Sequence, residues 1–289
     1  MAEAALPVAV GLAKPLGARI TLLHVQERSA PRTIHGERHL QDPERAEGYL
    51  AGIAERWKTE GVVIERHVHS AGEGDVARSI VDHASEIGTD LIVLTTHGWG
   101  GLRDLLFGSI AQQVLRRGTT PTLIVKPCAS GQLEPYTCRS ILVPLDGTRD
   151  AEVVLDVARD IARATGARVL LASVVPTLAT ASGDLAVSAT FSPAATSAVL
   201  DLSQSDASEY LESKAAGLRQ EGVDVQTSVA RGRTAQQLTA LADRDQVNLI
   251  VIATHGRSGI DGTFNGSVAQ RLLGEFRQPI LLTRIVSPD

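Results

Sequence analysis

Leu249-Ile250-Val251-Ile252-Ala253-Thr254-His255-Gly256, followed nine residues later by Gly266-Ser267-Val268-Ala269-Gln270-Arg271-Leu272-Leu273, is the stretch on which the fold turns. Its first five residues form an apolar, β-branched run of the length of a buried strand. Glycines follow at 256, 259, 262 and 266. A helix is predicted to open at Gly266-Ser267, with Val268, Leu272 and Phe276 on one face. Strand, glycine-rich loop and helix N-terminus gather free backbone N–H groups at one point. Such a point binds anions, because unpaired donors and the helix dipole both favour negative charge. Ser267 adds a hydroxyl donor there and Arg257 a cation.

The stretch occurs twice. Leu91-Ile92-Val93-Leu94-Thr95-Thr96-His97-Gly98 leads to Gly108-Ser109-Ile110-Ala111-Gln112-Gln113-Val114-Leu115. The offset is 158 residues, and it holds without a gap from Gly74/Gly232 through Pro121/Pro279 to Lys126/Arg284. A repeat of that length is a duplicated domain rather than a solenoid unit. Both copies keep nine residues between the paired glycines. A tight chain reversal alone does not require that span.

The pattern T-H-G-x9-G-S-[VI]-A after a strand resembles the universal stress protein family in tandem form, and the resemblance covers nearly the whole chain. It implies two doubly wound α/β sandwich domains, adenine-nucleotide alpha-hydrolase-like, each with a five-stranded parallel sheet in the order 3-2-1-4-5. It also implies ATP as the ligand, with or without Mg. The family's nucleotide motif reads G-x2-G-x9-G-[ST]. Here its first glycine is replaced by Thr95 in the first copy and Ala253 in the second.

Composition agrees with that class. The chain has 289 residues, enough for two ordinary domains. Aromatic residues make up 3% and hydrophobic residues 43%, so the cores must be built from Ala, Val, Leu and Ile. Strands of a parallel sheet buried on both faces read in that way. The net charge is −5 and no basic stripe is present, which argues against nucleic acid as a partner. No apolar run approaches the ~20 residues of a membrane span. The N-terminal run is interrupted by Glu3 and Lys14 and has no basic leader, so it does not read as a signal peptide. The two cysteines, Cys128 and Cys138, lie between the halves. They read as reduced linker thiols of a cytoplasmic protein, with a redox clip as the other reading.

In chain order, the first domain (1–127) is expected to run helix 2–17, strand 18–25, polar loop 26–41, helix 43–61, strand 62–69, helix 74–88, strand 90–95, glycine loop, helix 109–117 and strand 122–126. The second (139–289) is expected to run strand 140–146, helix 151–165, a strand ending near Val175, a loop at 176–203, helix 206–220, strand 223–230, helix 234–245, the glycine stretch and strand 279–284. The loop at 176–203 is rich in Ala, Ser and Thr and poor in charge, and is read as mobile. Strands alternating with helices imply right-handed crossovers.

The first domain lacks a counterpart of Ser140-Ile141-Leu142-Val143-Pro144-Leu145-Asp146, which the resemblance makes the middle strand. Losing it would remove about four or five buried apolar side chains at ~1.5–3 kcal/mol each. That is comparable with a domain's whole stability of ~5–15 kcal/mol. The reading therefore expects a strand upstream of Met1, or else a degenerate first domain supported by the second.

In a doubly wound sheet, ligands sit at the carboxyl ends of strands near the point where strand order reverses. Asp146 ends the first strand of the second domain, where its carboxylate can accept ribose or adenine hydrogen bonds. The plain alternative is an Asp-Gly turn with a helix cap. The resemblance has Val174 offering backbone groups to adenine, and Gly256, Gly266, Ser267 and Val268 holding phosphates. Pro144, Leu145, Ala253, Arg257 and Ala269 complete the expected site. Val25, Thr95, Gly98, Gly108, Ser109 and Ile110 are the weaker counterparts in the first domain.

His97 and His255 follow the strand ends but pair with no nucleophile in the sequence, and read as loop-ordering residues. His35 and His39 have helical spacing but no evident third ligand, so they are not read as a metal site. Gly98-Trp99-Gly100-Gly101 lacks the third glycine of a dinucleotide fingerprint. There is no G-x4-G-K-[ST] and no H-x-G-H. The reading is an ATP-binding stress-response sensor or regulator, not an enzyme. Its alternatives are an interaction module without nucleotide and a slow ATP hydrolase. By resemblance, the last strands, 122–126 and 279–284, should pair the two halves, and protein partners are unspecified.

Overall fold

The structure is a computed structural model that describes residues 2–27, 33–34, 37–38, 40, 42–58, 61–96, 109–127, 133–255, 272 and 274–285. The chain forms two units, Met1–Thr137 and Cys138–Asp289.

The second unit contains β7 (Ser140–Pro144), α5 (Arg149–Glu152), α6 (Val154–Thr165), β8 (Arg168–Val175), α7 (Asp184–Phe191), α8 (Pro193–Gln220), β9 (Val225–Arg231), α9 (Thr234–Arg244), β10 (Leu249–His255) and β11 (Ile280–Ile285). Its strands lie in the order β11-β10-β7-β8-β9, and every pair is parallel. That is the expected 3-2-1-4-5 arrangement with β7 at the centre. Ile141, Leu142 and Val143 are each 0% exposed. Successive strand residues point to opposite faces, so both faces of β7 are covered. Burying each such side chain is worth ~1.5–3 kcal/mol. Asn248 fixes the start of this central pair. Its Oδ1 accepts from the backbone N–H groups of Arg139 and Ser140, each at 3.1 Å.

Helices form where the apolar stripe is regular. α6 buries Val154, Ala158, Ile161 and Ala162 and ends on Gly166, whose φ of 72° is left-handed. α9 buries Ala235, Leu238, Leu241 and Ala242. One expectation fails here. The segment read as a loop at 176–203 is largely helical, with α7 and a 28-residue α8 that begins at Pro193 rather than at 206. Alanine is the strongest helix former. Thr196 and Ser203 turn their hydroxyls back onto the carbonyls of Ser192 and Val199, at 3.0 and 2.9 Å. Their side chains therefore do not compete for the N–H groups of the helix.

The first unit contains α1 (Leu6–Leu16), β1 (Ile20–Glu27), the short β2 (Thr33–Ile34) and β3 (Glu37–Arg38), α2 (Pro43–Trp57), β4 (Ile64–Glu73), α3 (Val76–Ile87), β5 (Ile92–Thr95), α4 (Ser109–Arg117) and β6 (Thr122–Val125). β2 and β3 form an antiparallel pair inside the stretch read as polar loop. β1 pairs with β4, and β5 with β6, both parallel. No hydrogen-bonded ladder joins β1 to β5 among the described residues. A counterpart of β7 is absent among them, as the sequence indicates. α3 is capped by Asp75, whose carboxylate accepts from the Arg78 N–H at 3.1 Å, and it ends on left-handed Gly88. Cys138, at the start of the second unit, is a buried thiol, while Cys128 lies outside the described residues.

Candidate functional site

Strand order in the second unit reverses between β7 and β10, because the chain leaves β7 for β8 and β9 and returns to the other side. The carboxyl ends of β7, β8 and β10 all point one way, since the strands are parallel. A crevice opens where neighbouring connections diverge in this manner.

Leu145 is buried and its N–H donates to the Ala172 carbonyl at 2.8 Å. Pro144, half-buried, is the last β7 residue in register with β8, opposite Ala172. Beyond it β8 continues to Val175, paired only with β9. The backbone groups of a parallel strand alternate sides with period two. The Ala172 carbonyl faces β7, so the N–H and C=O of Val174 face the same way. They point past the end of β7, the strand that Asp146 follows.

Asp146 is exposed. Its Oδ1 accepts from the Thr148 N–H at 3.0 Å and from the Thr148 hydroxyl at 2.6 Å. Gly147 between them has a φ of 85°, which favours glycine. Thr148, not Asp146, then caps α5, its Oγ1 accepting from the Ala151 N–H at 3.2 Å. The Asp-Gly turn of the plain alternative is therefore present. It engages one carboxylate oxygen, and Oδ2 has no donor among the described residues.

Three side chains that sequence reasoning missed stand beside this turn. Tyr210 and Lys214, one turn apart on α8, meet Glu152 of α5. The Tyr210 hydroxyl donates to Glu152 Oε1 at 3.1 Å. Lys214 Nζ lies 2.8 Å from Glu152 Oε2 and 5.5 Å from the Tyr210 ring centroid. Burial, the hydrogen bond to Glu152, and the charges of Glu152 and Asp146 together push the Tyr210 phenol well above its ordinary pKa. The phenol therefore stays protonated as a donor. No sequence signal marks this trio: Tyr210 and Lys214 fall within the helix expected at 206–220, but only packing shows that this face meets Glu152.

Ala253 is half-buried near the end of β10, and Thr254 beside it is buried. Gly256, Arg257, Gly266, Ser267, Val268 and Ala269 lie outside the described residues. In the first unit, Val25 on β1 and Thr95 on β5 are half-buried and sit in strand pairs that share no ladder. Ser109 opens α4, and Ile110 packs against the cluster of Ala77, Ala84, Ile92 and Val114. Gly98 and Gly108 lie outside the described residues. No helix among the described residues is long and apolar enough to cross a membrane.

Comparisons with known proteins follow the same division. The model of the universal stress protein family matches residues 1–126 and again 137–284. Universal stress protein YxiE of Bacillus subtilis is 31% identical over 138 residues, 44% of this chain and 91% of its own length. A universal stress protein of Mycolicibacterium smegmatis is 23% identical over 265 residues, covering 91% of this chain and 80% of its own. The crystal structure of a universal stress protein from Archaeoglobus fulgidus superposes with a TM-score of 0.69 at 18% identity, covering 99% of this chain and 96% of that one. That likeness establishes the fold. With the family model matched twice along its length, the chain belongs to the universal stress protein family, as a tandem of two domains.

Proposed function

We propose that the second unit binds one adenine nucleotide, ATP with or without Mg, and that the chain works as a nucleotide-dependent regulator in a stress response rather than as an enzyme. The observation that carries this reading is the pairing of two features at one strand end. One is the exposed Asp146 carboxylate, with an oxygen that no described donor engages, and the other is the Val174 backbone, which points past the end of β7, the strand that Asp146 follows. An N–H and a C=O side by side match the edge of an adenine ring, and a carboxylate suits a ribose diol or the exocyclic amine. Charge-assisted bonds of this type contribute roughly 1.5–3 kcal/mol each. Phosphates would fall to the N–H groups expected at Gly256, Gly266, Ser267 and Val268, with Arg257 beside them. Family membership supports the same ligand class.

The regulatory reading, rather than a catalytic one, rests on the described side chains around the turn. Glu152 is engaged by Tyr210 and Lys214, and the Thr148 hydroxyl that rests on Asp146 is committed to the turn and to the cap of α5. The test is mass spectrometry of ligand released from purified, undenatured protein, followed by a phosphate-release assay with ATP. Co-purifying or added adenine nucleotide bound without phosphate release is the expected result. Absence of any nucleotide binding would overturn the first half of the reading, and steady release of phosphate the second.

A further inference from the structure

His67 and His69 lie two residues apart on β4, so their side chains leave the same face of the strand. α3 lays His83 against them. Ring centroids of His67 and His83 are 4.8 Å apart, and those of His69 and His83 are 4.6 Å apart. His69 Nδ1 stands 3.1 Å from His83 Nε2. One ring nitrogen from each of the three falls within 4.8 Å of the others.

Protonation at His83 is set by its partners. His83 is 8% exposed, and its Nδ1 lies 2.9 Å from the Ser79 carbonyl. A carbonyl only accepts, so Nδ1 carries the proton and Nε2 is a bare lone pair aimed at His69. Imidazoles that ligate metals are commonly oriented in this way, by a backbone carbonyl on the far nitrogen. Asp82 and Glu86, on successive turns of α3, line the adjoining cleft with Asp75. Arg78 in the same cleft is paired to Asp82 at 3.5 Å, and Asp75 is held by Arg117. Acidic groups thus outnumber basic ones around the histidines.

We propose that His67, His69 and His83 bind one divalent transition-metal ion of the zinc type, with water in the fourth position. Zn–N bonds of about 2.0–2.1 Å in a tetrahedron place ligand nitrogens about 3.3–3.4 Å apart. The His69–His83 separation of 3.1 Å is already near that value, and a rotation of the exposed His67 ring closes the third side. With Nδ1 of His69 as the ligand atom its ring proton sits on Nε2, and the ion is held by three neutral imidazoles. Imidazole nitrogens without thiolate suit Zn2+, Co2+, Ni2+ and Cu2+ rather than Ca2+ or Mg2+. The ion would cross-link β4 to α3. α3 in turn packs Ala77 and Ala84 against Ile92 of β5 and Val114 of α4. It would therefore tie the β1–β4 pair to the β5–β6 pair where no described strand does so.

The experiment uses the full 289-residue chain with no affinity tag, because an oligohistidine tag would itself bind metal. Protein is stripped with EDTA, titrated with ZnSO4 by calorimetry, and separately loaded with Co2+ for visible spectroscopy. One Zn2+ per chain is expected, with the intense d–d bands of four-coordinate Co2+ and no thiolate charge-transfer absorption. His67→Ala, at an exposed position, and His69→Gln should each weaken Zn2+ binding by ~10-fold or more, with native circular dichroism retained. Zinc should also raise the unfolding temperature of the wild type and not of His67→Ala. Absence of stoichiometric binding overturns the site. So does affinity unchanged in both variants, or a thiolate band from the cysteines.

Discussion

A methyl group on Gly11 would stand 2.3 Å from the carbonyl oxygen of Tyr136. The obstacle is backbone, so neither side can rotate away, and α1 must move off the segment that leads into the second unit. Gly11→Ala should destabilise the first unit by ~1–3 kcal/mol, as overpacking does, read from urea denaturation. An unchanged midpoint would show that the segment is not seated on α1. Asp146 was legible from its place after an apolar run, because the end of a central strand is fixed by where hydrophobicity stops. Tyr210 was not legible, since a lone tyrosine on a helix gives no hint of what it faces. Its phenol makes a measurable statement about pH. The folded unit holds this proton more tightly than the unfolded chain does. The contribution is therefore complete below the ordinary phenol pKa of about 10 and is lost as pH rises through the higher folded value. Between about pH 8 and about pH 11, wild type should lose more stability than Tyr210→Phe does. Parallel losses in the two proteins would remove Tyr210 from this account. The histidine cluster shows a different limit. His67 and His69 carry the alternation of a strand face, and His83 the spacing of a helix face, but only packing brings the two faces together.

At the scale of elements, strands and capped helices were the legible part. β7 and β10 read as unbroken apolar runs because both of their faces are buried. α1, α3 and α6 end on Gly17, Gly88 and Gly166, with φ values of 61°, 69° and 72°, as glycine after an apolar stripe suggests. α8 broke the pattern. Its N-terminal half buries little beyond Thr196 and Leu200, while Val199 and Leu202 are exposed at 52% and 61%. Two buried positions four apart, among apolar residues that face outward, leave no 3.6-residue signal. Serine and threonine, moreover, are as common in turns as in caps. The helix makes a prediction that a loop would not. Leu200 is 4% exposed, so Leu200→Ala should cost ~2–4 kcal/mol in denaturant titration, the usual range for a buried leucine. A change below about 0.5 kcal/mol, typical of surface positions, would return 193–203 to a loosely held segment.

At the scale of the whole molecule, the duplication suggests two equivalent sites and the structure of each unit argues for one. In the second unit β7 stands between β8 and β10, and Asp146 follows the strand end past which the Val174 backbone points. In the first unit the corresponding groups are only partly present. The Ile20 N–H donates to the Val63 carbonyl, so by the same alternation the backbone of Val25 points away from β4. No counterpart of β7 is described there to deliver a carboxylate, and β1 shares no ladder with β5. Trp99 also occupies the repeat position of Arg257. Among the described residues the first unit therefore shows no base or ribose acceptor in this place, and the sequence puts Trp99 where the second copy has its cation. Two interactions of ~1.5 kcal/mol each lower affinity by more than a hundredfold. Titration calorimetry with ATP on the 289-residue chain should therefore give one site. Asp146→Ala should weaken it by about 10- to 100-fold, the equivalent of one charge-assisted bond, with the heat capacity of unfolding unchanged. Two sites of equal affinity would mean that the first unit binds nucleotide without a central carboxylate. Undiminished binding by Asp146→Ala would leave its side chain only the role it plays in the turn, receiving Thr148.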